Sequence, residues 1–138
     1  EPTPTPETER YIVVVKDCSW EEAKAECEAM GGVLAMPTSR DEFYAVTEAC
    51  EAAGIHLAWL GAQRQSDGTW LTTAGDTTWF CPWTAGEPSY EDVDGTPENC
   101  LLLWYYNGSW SCNDCRSDPA ADYPNVYSGK LGYVCQMY

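Results

Sequence analysis

Basic side chains are scarce in this sequence. Seven Lys and Arg stand against 22 Asp and Glu, so the 138-residue chain carries a formal charge of −15. Nucleic-acid phosphates are held by clustered Lys and Arg, so the charge argues against a nucleic-acid partner and equally against an anionic membrane surface. Histidine is almost missing as well, His56 being the single one. With one His, one CxxC (Cys112 to Cys115) and no second pair at finger-like spacing, a structural zinc site lacks a ligand set. A redox CxxC remains open by type but lacks the βαβ surroundings and helix start such motifs use. His56 has no Ser and Asp pattern around it, so a structural or surface role is expected over a catalytic one. Neither a long apolar run nor a signal peptide nor an internal repeat is visible, and no direct membrane insertion is expected. No nucleophile stands at a working spacing from a base, so the chain is read as non-enzymatic. Its paired carboxylates are of the type glycosidases use, but nothing in the sequence fixes a cleft between them.

What is present defines a different kind of molecule. The length suits one domain with a buried core, and seven Trp and nine Tyr supply much of that core. Eight Cys in so short a chain read as a disulfide framework formed in an oxidising compartment. Residues 1–10 open with EPTPTPETE, a Pro/Thr/Glu-rich segment expected to be a stiff linker preceding a domain over 11–138. That arrangement suggests an extracellular or cell-surface module of a larger exported protein.

Local patterns give the elements. Tyr11 to Lys16 (YIVVVK) is β-branched and predicts a strand. Ser19 and Glu22 form an S-x-x-E capping box that starts a helix reaching Met30, with Trp20, Ala23, Cys27 and Met30 on its inner face; Gly31-Gly32 stops it. VLAMP (33–37) predicts a buried connector. Ser39 and Glu42 repeat the box ahead of a second helix, whose inward face is Phe43, Val46, Ala49 and Ala53 and whose stop is Gly54. Ile55 to Ala62 (IHLAWLGA) predicts a buried central strand, and Leu131 to Gln136 a closing one. Between Gln63 and Pro97, and again between Arg116 and Lys130, periodicity fades into long irregular excursions; tryptophans in the first indicate that it is packed and functional.

The stretch from Gly86 to Asp114 concentrates the chemistry. Asn107-Gly108 is a strong hairpin signal, and pairing outward from it sets Tyr105 opposite Trp110, Leu103 opposite Cys112, Leu101 opposite Asp114 and Cys100 opposite Cys115. Glu98 is thereby brought beside Asn113 and Asp114. Glu87, Asp92, Asp94 and Glu98 form the densest acidic cluster in the chain. Hard cations take oxygen ligands gathered from such loops, so Ca2+ is the expected ion. A solvated loop in an acidic protein is the plainer alternative. Tyr90, in the polar loop, is the best candidate for stacking on a ligand, ahead of Tyr105 and Tyr106.

These residues carry a family likeness. WEEAKAECEAMGGVLAMP, AWLGA, GEPS, the ENC with its NG hairpin, and LGYVCQ, in that order over about 120 residues, resemble a C-type lectin-like domain. The ending YSGKLGYVC and the insert DVDGTPEN look most like bacterial-type members. The resemblance implies an α+β fold in which two helices flank antiparallel sheets beside a long irregular loop region. It implies disulfides Cys27–Cys135 and Cys100–Cys115, the latter agreeing with the hairpin register. For Cys18, Cys50, Cys81 and Cys112 the expected pairing is Cys18–Cys50 and Cys81–Cys112. It further implies a calcium site in which Glu87 and Ser89 stand for the family's E-P-N, with a serine hydroxyl where an amide is usual. Glu98 precedes the hairpin cysteine, and Asp92 and Asp94 join the metal set. The W-N-D element can be laid on the chain in two ways. Counting from Trp110 puts Ser111 and Cys112 at the ligand positions; reading Cys112 as the family's Trp puts Asn113 and Asp114 there, and this second reading is preferred. The resemblance thus implies calcium-dependent carbohydrate binding through Glu87, Ser89, Tyr90, Glu98, Asn113 and Asp114, with mannose-type glycans favoured. The alternative is a protein-binding adhesin or receptor module whose calcium site is stabilising or vestigial.

Overall fold

The computed structural model describes residues 11–77, 79–84, 98–106, 108–122 and 129–137. The β-branched run Tyr11–Val15 forms β1, which pairs antiparallel with the closing strand β7 (Leu131–Met137), so the ends of the domain adjoin. Helix α1 spans Trp20–Ala29. Its capping box is complete: Ser19 Oγ accepts from the Glu22 amide at 3.1 Å, and Glu22 Oε1 accepts from the Ser19 amide at 2.9 Å. Trp20, Ala23 and Cys27 face inward as expected, whereas Met30, the C-cap residue, turns outward and is 41% exposed. Gly31 follows at φ +89°, a conformation that side chains resist.

The expected connector after it begins as a strand, β2 (Gly32–Leu34), paired with the end of β7. Helix α2 (Arg40–Ala53) ends at Gly54 in the left-handed region. Ser39 caps it, but Glu42 turns its carboxylate to the amide and hydroxyl of Thr38, both at 2.7 Å, leaving the reciprocal half of the box unmade. The inner face is Phe43, Ala45, Val46, Thr47 and Cys50. Ala53 is exposed even though it stays on the inner side of the helix, lining an open groove with Tyr11 and Val13 of β1.

Strand β3 (Leu57–Arg64) is the hub. It pairs parallel with β7 and antiparallel with β5 (Cys100–Tyr106), shifts register between Trp59 and Gln63, and then pairs with β4 (Trp70–Thr72) inside the stretch expected to be irregular. β5 continues into β6 (Ser109–Cys115), and a short helix, α3 (Pro119–Asp122), interrupts the second irregular stretch. The antiparallel sheets implied by the resemblance are therefore joined into one mixed seven-stranded sheet. The reason is β3, which is long enough to serve both halves on either side of its register shift.

Helices cover both faces, so β3 and β5 are apolar on both. Ala58, Leu60, Leu101 and Leu103 pack with Phe43, Val46 and Cys50 of α2. The alternate residues Trp59 and Leu102 pack with Trp20, Ala23 and Cys27 of α1, together with Leu131 and Tyr133. The two buried indoles are satisfied by backbone: Trp20 Nε1 donates to Leu60 O at 2.8 Å and Trp59 Nε1 to Cys18 O at 3.0 Å. Gly61 is required by proximity, since a Cβ there would lie 2.4 Å from the Leu34 carbonyl oxygen.

Cys27–Cys135 joins α1 to β7, and Cys81–Cys112 joins the first long excursion to β6. The other two expected bonds are not formed. Cys100 and Cys115 are cross-strand partners as the hairpin register requires, but their sulfurs are not joined. Cys18 and Cys50 lie in different core clusters on opposite faces of the sheet, which bars a bond between them.

Candidate functional site: the open end of the β5–β6 hairpin

The hairpin forms with the expected register: Tyr105 opposite Trp110, Leu103 opposite Cys112, Leu101 opposite Asp114 and Cys100 opposite Cys115. Gly108 supplies the positive φ of the turn, at +85°. The open end of the ladder thus sets residues 113–115 against 100–102. Glu98 lies two positions beyond the last pair, about 7 Å along the strand direction. It is 9% exposed, a degree of burial unusual for a carboxylate.

Asn113 and Asp114, being consecutive on a strand, present their side chains to opposite faces. Asp114 shares a face with Leu101 and is fully buried. Asn113 shares a face with Leu102, and its side-chain oxygen is buried without a hydrogen-bond partner among the described residues. Such an orphaned acceptor costs about 1–3 kcal/mol, a cost that a cation at the open end would remove. By donor chemistry the unspent Asn113 oxygen suits a hard ion, while the Glu98 carboxylate lies four positions along the chain from Leu102, the partner of Asn113, roughly 13 Å of strand. Among the described residues no cluster of three His, Cys, Asp or Glu side chains is close enough to hold a metal by itself. Glu87, Ser89, Tyr90, Asp92 and Asp94, the remaining sequence candidates, lie outside the described residues, as do residues 1–10.

Ser111 and Cys112, the competing ligand pair, are committed elsewhere. Ser111 Oγ lies 2.6 Å from Thr84 Oγ1, and Cys112 is bonded to Cys81. Thr84 also accepts from Trp104 Nε1 at 2.6 Å. Its amide donates to Cys112 O at 2.9 Å, while the Cys112 amide donates to Pro82 O at 2.7 Å, adding residues 82–84 to the free edge of β6. At the far end Asn99 O accepts from the Arg64 amide at 2.7 Å. Both flanks of residues 85–97 are therefore anchored on the sheet. Sequence reasoning missed Thr84 and Trp104, because a hydroxyl pair 27 positions apart leaves no local pattern. Tyr105 belongs to the opposite end: its ring lies 5.2 Å from His56 and 5.5 Å from Trp110, near the turn.

Comparison with known proteins gives the class. The Lectin C-type domain family matches residues 16–121. The chain belongs to the C-type lectin domain family. Collectin-43 of Bos taurus is 31% identical over 100 residues, covering 72% of this chain and 31% of the relative. Human lithostathine superposes with a TM-score of 0.70 at 19% identity, covering 93% of this chain and 83% of that one. The cow carbohydrate-recognition domain of CD23, solved in the presence of a GlcNAc2Man3 oligosaccharide, gives 0.68 at 22%, covering 91% and 84%. The chain spans between 31% and 58% of the length of curated relatives such as Collectin-43 and tetranectin. These relatives come from cattle, mouse, human and rat, so the expectation of a bacterial-type member is not borne out.

Proposed function

We propose that this domain is a calcium-dependent carbohydrate-binding module displayed outside the cell as part of a larger exported protein. The observation that carries the reading is the buried, orphaned Asn113 oxygen near the open end of the hairpin, in a chain of the C-type lectin family. Glu98 and Asn113 would hold calcium with Glu87, Ser89, Asp92 and Asp94, whereas Asp114, fully buried on the opposite face of β6, would not reach the same ion as Asn113. The engagement of Ser111 and Cys112 supports assigning the ligand role to Asn113. Bound calcium would supply a Lewis-acidic centre for vicinal sugar hydroxyls. Glu87 and Glu98 would accept hydrogen bonds from the same hydroxyls, Ser89 and Asn113 would donate to them or accept, and Tyr90 would offer a ring face. Mannose-type sugars are the expected class. No catalytic step is assigned, in keeping with a family whose members are generally binding proteins. An extracellular setting accords with the two disulfides. Among the described residues no helix is long and apolar enough to cross a membrane.

The test is a glycan array probed in calcium and in chelator. Retention of mannose-type glycans only in calcium is the expected result. Calcium-insensitive glycan retention would overturn the calcium dependence, and capture of protein ligands with no glycan signal would overturn the reading in favour of a protein-binding module.

A further inference from the structure

A second concavity, of about 460 Å3, lies between α2 and the turn end of the hairpin, away from the open end where calcium is proposed. Its walls are the rings of Phe43, Tyr44, Phe80 and Trp110, closed by Pro82. The volume is in the range of small-molecule sites. The rings are held by one another: Phe43 meets Phe80 edge-on at 5.9 Å and Tyr44 at 6.2 Å. Trp110 is fixed on its other side by Tyr105, and by an Nε1 hydrogen bond to Glu51 Oε2 at 2.9 Å. A wall locked in this way keeps its shape when empty, which lowers the ordering cost of binding. Folding alone does not account for it, because Tyr44 remains 53% exposed.

The charge at this place is opposite to that of the chain. Among the described residues Arg40 is the one charged residue lining the concavity, and its guanidinium makes no ion pair with them. Two nearby acids have other partners: Glu42 accepts from the Thr38 amide and hydroxyl, and Glu51 accepts from Trp110 Nε1. The hydroxyl of Ser109 adds a polar group at the rim. A planar cation beside an apolar, ring-lined hollow recognises a carboxylate joined to an apolar body, with the carboxylate on the guanidinium and the body between the rings.

We propose that this concavity is a calcium-independent site for a small organic carboxylate with an aromatic or branched apolar body. It is separate from the proposed sugar site, and the two stand or fall independently. The test uses 3-phenylpropionate as probe, with its neutral counterpart 3-phenylpropionamide, read by calorimetry and by the indole N–H resonance of Trp110. The acid is expected to shift that resonance equally in calcium and in chelator, and to bind at least tenfold more tightly than the amide. Arg40→Gln, an exposed substitution that leaves the core untouched, should bring the acid down to the affinity of the amide while leaving the amide unchanged. Equal affinity for acid and amide, or a Trp110 signal unmoved by either probe, would overturn the proposal. So would binding lost in chelator, which would place the probe at the open end of the hairpin.

Discussion

Removing each disulfide in turn tests how the two bonds hold the fold. Cys27–Cys135 closes 108 residues and Cys81–Cys112 closes 31. In the chain-entropy account, these loops correspond to about 4.8 and about 3.7 kcal/mol at 25 °C, a difference of about 1.1 kcal/mol arising only from the logarithm of loop length. With an unfolding entropy of about 0.3 kcal/mol/K for a chain of this size, the melting temperature should fall by about 16 °C and about 12 °C respectively. Replacing each pair by alanines makes the comparison fair, because all four side chains are buried and lose similar packing. Three of the four remaining thiols are poor attackers at neutral pH. Burial pushes the Cys50 and Cys100 thiols up to about 12 and Cys18 to about 11, so the attacking thiolate is scarce. The assay is thermal unfolding followed by far-ultraviolet circular dichroism, with urea midpoints as a check. An equal loss for the two variants, or a larger one for the Cys81–Cys112 pair, would refute loop closure as the source of the stabilisation. It would point instead to local ordering of residues 82–84 on the edge of β6.

Gly61→Ala should destabilise by about 1–3 kcal/mol in urea unfolding, because its Cβ would meet the Leu34 carbonyl and force β2 away from β3. Ser39→Ala should cost about 1 kcal/mol through the lost cap of α2, and Ser39→Asp should restore most of it. The Glu26 carboxylate is held below the usual range by Lys16 first and then by the Tyr133 hydroxyl, which donates to it at 2.5 Å. A depressed carboxylate stabilises the fold above its ordinary value near pH 4.3 and loses that contribution as pH falls through the folded value. The stability gap between the wild type and Glu26→Gln should therefore be constant at neutral pH and close on acidification. A gap that widens in acid would contradict the contact.

The hairpin was legible because its cause is local. Asn107-Gly108 dictates the turn, and the period of two then fixes each pair out to Cys100 and Cys115. The start of α1 was legible for the same reason, its cap lying within four residues. The end of α1 was not, since whether Met30 faces the core depends on how the chain leaves the helix. Strand β4 escaped notice because Trp70–Thr72 is too short to show a period and exists only where β3 offers an edge beyond its shift. The cysteine pairs divide in the same way. Cys100 and Cys115 are neighbours by local register, yet whether the sulfurs join depends on side-chain direction, which register does not fix. Cys18 and Cys50 could be paired only while the sheet between them was unknown. At the open end of the hairpin, the residue types at Glu98, Asn113 and Asp114 were readable. The burial of Glu98 and the isolation of the Asn113 oxygen were not, since both arise from strands far apart in sequence.

The central claim is that an ion completes the open end of the hairpin, and the melting temperature in calcium against chelator tests it most directly. At a calcium concentration one hundredfold above the dissociation constant, linkage predicts about 2.7 kcal/mol of added stability, a rise of about 9 °C for this chain. Glu98→Gln should show little or no rise in calcium over its own melting temperature in chelator. Identical melting of the wild type in calcium and in chelator would contradict the account, leaving the Asn113 oxygen a buried cost that no ion relieves.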